Sequence, residues 1–142
     1  MKYDKLRLDN QLCFPIYAAS REIIQSYGKY LTNLDITYPQ YLVLLVLWEK
    51  DFLPVSTIGK RLLLDSGTLT PLPKRMECKG LIIRQRCKQD ERIVRIHLTD
   101  KGKQLEEEAK SIPTELAKDF TLTIEEVDTL KRLIYKLMNR EQ

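Results

Sequence analysis

The segment from Leu62 to Arg92 constrains the fold more than any other part of the chain. A polar-faced helical pattern ends at the glycine stop Lys79-Gly80. Two segments with alternating apolar residues, 81–87 and 93–98, follow it and are predicted to be strands joined by a charged turn. A compact helix followed by a basic hairpin allows a small protein to reach the groove floor and the flanking backbone of DNA. Nucleic acid is therefore the first partner to test.

Positive charge is concentrated in the same segment. Positions 74–95 hold eight Lys or Arg residues against three acids, an excess of +5, whereas the whole chain carries +4. A local excess of positive charge in this segment could bind the phosphate backbone of DNA.

The remaining chain shows helical periodicity. Thr37 is predicted to cap a helix with Pro39 in its first turn, and 55–63 is predicted to form another short helix. Thr99 opens a further helix, 111–113 interrupts it, and a capping box at Thr123 starts the last one. A long first helix is predicted from one apolar stripe, in which Pro15 marks a beginning or a bend: Leu12, Ile16, Ile23, Ile24, Tyr27 and Leu31.

These elements predict a mainly α (α+β) fold, a winged helix-turn-helix, in a single domain spanning 1–142. The winged helix-turn-helix core covers about 37–98. Helices at about 5–34 and 100–142 keep apolar stripes outside that core, so they are expected to form a dimerisation region. DNA readers of this type bind two half-sites as symmetric dimers.

Composition excludes several other classes. No run approaches the ~18 apolar residues that span a membrane, and the first residues lack the apolar region of a signal peptide, which predicts a cytoplasmic protein. Three cysteines without an export signal indicate thiols. One histidine and no C-x-x-C spacing argue against zinc. With no catalytic spacing and no phosphate loop, we expect neither a cofactor nor a conventional enzyme.

Seven segments of the chain form a recognisable set: LDNQLCF at 8–14, YAASRE at 17–22, ITYPQYLVLLVLWE at 36–49, LDSGTLTPLPKRME at 64–77, GLIIRQR at 80–86, DER at 90–92 and LTDKG at 98–102. Together they resemble the MarR family, and more narrowly its OhrR branch of organic-hydroperoxide-sensing repressors. LTDKG and DER are general features of the family, whereas LDNQLCF with ITYPQY is more specific because it supplies the sensor.

The resemblance implies a redox sensor at Cys13. A peroxide sensor needs a thiolate that attacks the O–O bond and becomes a sulfenic acid. Tyr27 and Tyr38 match the family's two tyrosines, which hydrogen-bond the thiol from the other subunit. Tyr17 lies one helical turn from Cys13 and is expected in the same pocket. Most free cysteines are small buried apolar residues, but the flanking motif and the paired tyrosines favour the sensor.

The resemblance also implies a set of DNA contacts. Arg92 at the wing tip resembles the family arginine that enters the minor groove, and Asp90 would orient it by an ion pair. Hydroxyls and cations of the recognition helix can reach bases or phosphates, and the wing strands supply further phosphate contacts. These residues are Ser66, Thr68, Thr70, Lys74 and Arg75 on the helix, and Arg84, Arg86, Lys88 and Arg95 on the wing.

Two features depart from the family pattern. Pro73 replaces a leucine within the predicted recognition helix, where an interior proline costs roughly 3 kcal/mol and can kink the helix. Cys78 and Cys87 are additional thiols, and no cysteine follows Cys87. The chain therefore resembles the one-cysteine type, which relies on a low-molecular-weight thiol for reversible oxidation.

The sequence predicts a homodimeric repressor that binds a pseudo-palindromic operator and is released when an organic hydroperoxide oxidises Cys13. Three alternatives remain open. A phenolic or drug-like ligand could act instead, with Cys13 incidental. The chain could be a thiol peroxidase. Pro73 could leave a dimeric interaction protein with impaired DNA binding.

Overall fold

The structure, a computed structural model, describes residues 2–141, so both terminal positions of the predicted domain, 1 and 142, lie outside it. The chain divides into two compact units, one ending at Ser111 and one beginning at Ile112. The first unit contains α1 (Cys13–Leu31), α2 (Tyr38–Glu49), β1 (Leu53–Pro54), α3 (Val55–Leu62), α4 (Ser66–Leu69), α5 (Pro71–Cys78), β2 (Ile82–Arg86), β3 (Val94–Leu98) and α6 (Asp100–Ala109). The second contains α7 (Ile112–Ala117) and α8 (Ile124–Leu137).

The central helix α2 begins where the sequence predicts. The Thr37 hydroxyl accepts from the backbone N–H of Gln40 at 3.4 Å, and the Gln40 side chain accepts from the backbone N–H of Thr37 at 3.0 Å. This reciprocal capping box satisfies two N–H groups that the first turn leaves free. Val43 and Leu44 are fully buried, so α2 runs through the centre of the core.

The wing sheet has one strand more than predicted. Its order is β1-β3-β2 and both pairings are antiparallel, with Leu53 opposite Ile96 and Arg84 opposite Ile96 on the other side. The extra strand, β1, has only two residues, which is too short to show an alternating pattern in the sequence.

The recognition helix is interrupted, which corrects the prediction of one continuous helix. Thr70 separates α4 from α5 but keeps right-handed helical dihedrals, φ −62° and ψ −47°. Pro71 and Pro73 both lack the N–H that would continue the ladder of hydrogen bonds. Pro73 is buried and is the third residue of α5, where a helix has no intrahelical partner for the N–H. The penalty expected for an interior proline therefore does not apply there.

The predicted capping residues of the other helices are confirmed. The first helix, predicted at about 5–34, is shorter, because two 3-10 turns, Asp4–Leu6 and Leu8–Asn10, precede α1. Thr99 caps α6 by accepting from the backbone N–H of Gly102 at 3.1 Å. The interruption predicted at 111–113 falls earlier, at 110–111, and Ile112 and Pro113 already belong to α7. Thr123 and Glu126 form the capping box of α8, and Pro15 lies in the first turn of α1.

Within residues 2–141, no helix is long and apolar enough to cross a membrane. The same residues contain no group of three or more His, Cys, Asp or Glu side chains placed to hold a metal ion.

Candidate functional site

The predicted DNA-reading residues of α4 and α5 lie at the surface. The start of α4 is fixed by Asp65, whose carboxylate accepts from the backbone N–H of Thr68 at 2.8 Å. That hydrogen bond lowers the pKa of Asp65. The Thr70 hydroxyl donates to the Ser66 carbonyl at 2.7 Å, so its proton is already used within the helix. The exposed members of the predicted set on these two helices are Ser66, Thr68, Thr70, Lys74 and Arg75.

Asp90 and Arg92 form the ion pair predicted at the wing tip. The Arg92 Nε donates to Asp90 Oδ1 at 3.0 Å and its Nη2 donates to Oδ2 at 3.1 Å. The side-chain hydrogen bonds from Arg92 hold the pKa of Asp90 below its usual range. Since the Arg92 side chain is 91% exposed, the carboxylate aims a guanidinium that otherwise extends into solvent.

The remaining wing cations have different environments. Arg84 binds Glu77 through its backbone N–H at 2.8 Å and through Nε and Nη2 at 3.1 and 2.9 Å. Arg86 donates to the backbone carbonyl of Glu91 at 3.0 Å, which steadies the hairpin turn. Lys88 is exposed in that turn. Arg95 lies over the Phe52 ring at 5.4 Å.

A groove of about 300 Å³ separates the recognition helix from the wing. Four of the predicted DNA residues, Thr70, Lys74, Arg84 and Arg92, contribute to its walls. The structure therefore brings helix and wing residues of the predicted set to one continuous surface. Its other walls are formed by Pro54, Val55, Ser56, Pro73, Ile93 and Val94.

The second predicted site is a cluster of tyrosines where α1 meets α2. The ring centroids of Tyr27 and Tyr38 are 4.8 Å apart, so the chain itself assembles the predicted pair. Burial, with a smaller contribution from the neighbouring phenols, raises the pKa of Tyr27 to about 12. Burial also raises the pKa of Tyr38. Both phenols remain protonated hydrogen-bond donors at neutral pH.

Sequence reasoning missed Tyr41. Its side chain is 2% exposed, and its ring lies 5.7 Å from that of Tyr27 and 6.3 Å from that of Tyr38. The signal was present, because Tyr41 is three residues after Tyr38 and therefore on the same face of α2. Tyr41 also contacts Trp48 edge-on at 6.3 Å, and the indole Nε1 of Trp48 donates to the Gly102 carbonyl at 3.0 Å.

The thiol of Cys13 is not brought to these tyrosines within one chain. Cys13 is exposed in the first turn of α1. At a rise of about 1.5 Å per residue, the Cα atoms of Cys13 and Tyr27 lie about 21 Å apart along α1. Tyr17 is exposed, with the guanidinium of Arg21 over its ring at 5.2 Å. One chain thus carries both halves of the predicted sensor, but at separate places.

The other cysteines and the histidine have ordinary environments. Cys78 is exposed at the end of α5 and Cys87 is partly buried at the start of the wing turn. His97 lies on the same strand face as Arg95, with its ring 6.0 Å from that of Phe52. His97 is half-buried.

Each unit exposes an apolar helix face. Leu12, which belongs to the predicted stripe of α1, is 64% exposed, and only Leu31 of that stripe is buried. In the second unit the apolar face of α8 is likewise exposed, at Leu130, Leu133, Ile134 and Leu137. Such contiguous apolar surfaces indicate a protein interface.

Comparisons with known proteins agree with this architecture. The family model of the transcriptional regulator SarA/Rot matches residues 25–109. The organic hydroperoxide resistance transcriptional regulator of Bacillus subtilis is 49% identical over 137 residues, 96% of this chain and 93% of that protein.

Solved structures give the same result. Reduced AbfR bound to DNA, a protein of Staphylococcus epidermidis, has a TM-score of 0.81 and 40% identity, covering 98% of this chain and 95% of that one. A mutant of MarR from E. coli, complexed with operator DNA, has a TM-score of 0.75 and 30% identity, covering 89% of this chain and 92% of that one. The chain is therefore a winged-helix transcriptional regulator of the MarR family, in the branch of the organic hydroperoxide resistance regulators.

Proposed function

We propose that the protein is a homodimeric, redox-sensing repressor of the cytoplasm. In its reduced form it binds a pseudo-palindromic operator through α4, α5 and the wing, and oxidation of Cys13 by an organic hydroperoxide releases it. Both compact units serve this one MarR-type domain, with α1 and α8 presenting their exposed apolar faces to the second copy.

One observation carries the proposal: the tyrosine pair is assembled, but the thiol that it would serve lies about 21 Å away along α1. The separation within one chain supports a site that a second copy completes. A symmetric dimer that places Cys13 of one chain beside Tyr27 and Tyr38 of the other forms two complete sensors. The protonated hydroxyls of Tyr27 and Tyr38 then donate hydrogen bonds that stabilise the Cys13 thiolate.

The sensing reaction is a two-electron oxidation. The Cys13 thiolate attacks one peroxide oxygen, so an S–O bond forms and the O–O bond breaks. The departing alkoxide takes a proton and leaves as an alcohol, while sulfur becomes a sulfenic acid. A low-molecular-weight thiol then condenses with the sulfenic acid, forming a mixed disulfide and releasing water, and a second thiol restores Cys13.

In the first unit, the loop between α1 and α2, which carry the tyrosines, contacts the end of the recognition helix directly. Lys79, which follows α5, donates from Nζ to the backbone carbonyl of Asp35 at 2.6 Å. Asp35 lies in the loop between α1 and α2, the two helices that hold the tyrosines. A shift of these helices on oxidation therefore reaches the end of α5. A coupling of about 1–3 kcal/mol between oxidation and the DNA-competent conformation is sufficient for a useful switch.

Replacement of Cys13 by Ser tests the proposal. A DNA duplex selected by the reduced wild-type protein from a random pool is titrated with protein before and after one equivalent of cumene hydroperoxide per subunit. We expect Cys13→Ser to bind the duplex within about threefold of wild type and to keep that affinity after peroxide treatment, because sulfur is the only atom changed.

Cys78→Ser and Cys87→Ser are the matched controls, and both should be released as wild type is. Mass spectrometry should locate the added oxygen on Cys13. Peroxide-triggered release that persists in Cys13→Ser would contradict the proposal and favour a ligand-responsive regulator. Repeated peroxide turnover without specific DNA binding would favour a thiol peroxidase.

A further inference from the structure

Glu77 makes the densest set of polar contacts between the recognition helix and the wing. It is the penultimate residue of α5, and its carboxylate accepts three hydrogen bonds from Arg84 in β2. Oε2 takes the backbone N–H, while Oε1 takes Nε and Nη2. These contacts hold the pKa of Glu77 below its usual range, and the backbone hydrogen bond contributes most.

The hydrogen bond from the Arg84 backbone N–H to Glu77 holds strand β2 in place as well as the Arg84 side chain. β2 is an edge strand, because the sheet order is β1-β3-β2. Edge strands leave alternate N–H groups without a partner in the sheet, and Glu77 occupies one of them at Arg84. The carboxylate therefore bridges the turn at Gly80, whose φ of 71° allows the chain to reverse between α5 and β2.

We propose that Glu77 and Arg84 are positioning residues that fix the angle between the recognition helix and the wing, and that Arg84 is not a phosphate contact. This inference rests on the proposed DNA binding and replaces the phosphate role that the basic strand suggested for Arg84. The guanidinium uses two of its three nitrogens on Glu77. Both side chains are only about one-third exposed, at 34% for Arg84 and 35% for Glu77.

The two roles of Arg84 predict opposite effects for Glu77→Gln. A phosphate-binding Arg84 would be liberated by the substitution, and the lost negative charge would tighten binding further. If Glu77 and Arg84 are positioning residues, the substitution would instead change the angle between the recognition helix and the wing. Helix and wing could then no longer contact the DNA correctly at the same time, and specific binding would weaken despite the gain of positive charge.

The experiment measures affinity for the selected duplex and for a scrambled duplex, at several salt concentrations. We expect Glu77→Gln to lower the ratio of specific to non-specific affinity by about fivefold or more. The charge-matched control is Glu108→Gln on the exposed side of α6, which should leave the ratio within about twofold of wild type.

Arg84→Lys and Arg84→Gln provide an independent readout. Each lost phosphate contact makes the slope of log K against log salt shallower by about 0.9. A positioning arginine predicts that both variants lose specificity alike and keep the wild-type slope, because lysine lacks the guanidinium fork. Circular dichroism checks that each variant is folded, and the lysine variant preserves the test should Glu77→Gln fail to fold.

Two results would overturn the inference. One is tighter operator binding by Glu77→Gln than by Glu108→Gln. The other is a slope that becomes shallower by about one in Arg84→Gln while Arg84→Lys binds as wild type does. If the wild-type protein binds no specific duplex, the proposed function fails as well. If it binds and only these variants deviate from expectation, the positioning role alone fails.

Discussion

At the scale of single residues, the proposed sensor depends on phenols that remain protonated. Only a neutral tyrosine can donate a hydrogen bond to a thiolate. Packing the rings of Tyr27, Tyr38 and Tyr41 together raises the pKa of each, mainly by burial. The pKa of Tyr27 is raised to about 12. The cluster thus keeps its donors charge-neutral over the whole physiological pH range.

The raised pKa of Tyr27 predicts a loss of stability in alkali. A tyrosine in the unfolded chain ionises near pH 10, whereas Tyr27 in the folded chain ionises at about 12. The folded state therefore binds more protons between these values, and the free energy of unfolding falls as pH rises from about 10 to about 12. Below pH 10 the contribution is fully present.

Urea unfolding of wild type and Tyr27→Phe between about pH 9 and pH 12 measures this contribution. Groups outside the tyrosine cluster titrate equally in both proteins, so the difference between their pH slopes reports Tyr27 together with its electrostatic coupling to Tyr38 and Tyr41. We expect the wild-type stability to fall more steeply than that of Tyr27→Phe. Equal slopes would show that burial does not hold the phenol neutral.

Sequence patterns predict part of the residue-scale site. Cys13, Tyr27 and Tyr38 stand in motifs that resemble a known sensor, and the structure places the two tyrosines together. Charge alone assigns Arg84 to phosphate, and its partner Glu77 cannot be identified from the sequence because the two meet across a turn. The contact of Tyr41 with both sensor tyrosines depends on how α1 packs on α2.

At the scale of elements, α6 contacts both α2 and the junction between α5 and β2. The Gly102 carbonyl accepts a hydrogen bond from the Trp48 indole. The Cα atom of Gly102 lies so close to the Leu81 carbonyl oxygen that a Cβ added at position 102 would collide with that oxygen. Leu81 stands between α5 and β2, and its carbonyl also accepts from the backbone N–H of Thr99 at 3.1 Å. Glycine at position 102 therefore allows α6 to pack against this junction.

Gly102→Ala should destabilise the fold. The methyl group would push α6 away from Leu81, and overpacking of this kind costs about 1–3 kcal/mol, which outweighs the helix propensity of alanine. Chemical denaturation measures the change. Gly67→Ala in α4 is the control, because its Cβ would meet only Asp65 Oδ1 at 3.5 Å, and it should be neutral or slightly stabilising. Equal stability of the two variants would show that the junction is not tight.

Sequence patterns predict elements well where capping residues mark them. Thr37, Thr99 and Thr123 each begin a helix, as expected. The recognition helix is harder to predict. Its pattern suggests that Pro73 lies inside a continuous helix, but Pro71 starts a new segment and places Pro73 in its first turn. How much a proline destabilises a helix depends on how far the proline lies from the helix start.

At the scale of the whole molecule, the exposed apolar faces of α1 and α8 predict an obligatory second copy. A single Leu133→Glu substitution on α8 should convert the dimer to monomer in analytical ultracentrifugation, since a buried unpaired charge is strongly unfavourable. Because Leu133 is 48% exposed in the single chain, the monomer should stay folded. Operator affinity should fall at least tenfold, as only one half-site is then engaged.

Lys131→Glu places the same carboxylate on α8, about 200° around the helix from Leu133, and should remain dimeric. A monomer from both variants would indicate that charge, and not burial of the apolar face, controls assembly. Sequence periodicity predicts both faces, but it cannot show that Cys13 and the tyrosines of one chain stay apart. That separation depends on the uninterrupted run of α1 from Cys13 to Leu31.

The central claim is that each sensor is shared between two chains, and a mixed dimer tests it most directly. One chain carries Cys13→Ser, the other carries Tyr27→Phe with Tyr38→Phe, and different affinity tags allow the mixed dimer to be purified. Sharing across the dimer predicts one intact sensor, formed by Cys13 of the second chain and both tyrosines of the first. The rate of peroxide oxidation of that Cys13, followed by mass spectrometry, should match the wild-type rate. A rate as slow as in the homodimer of the tyrosine variant would contradict the account.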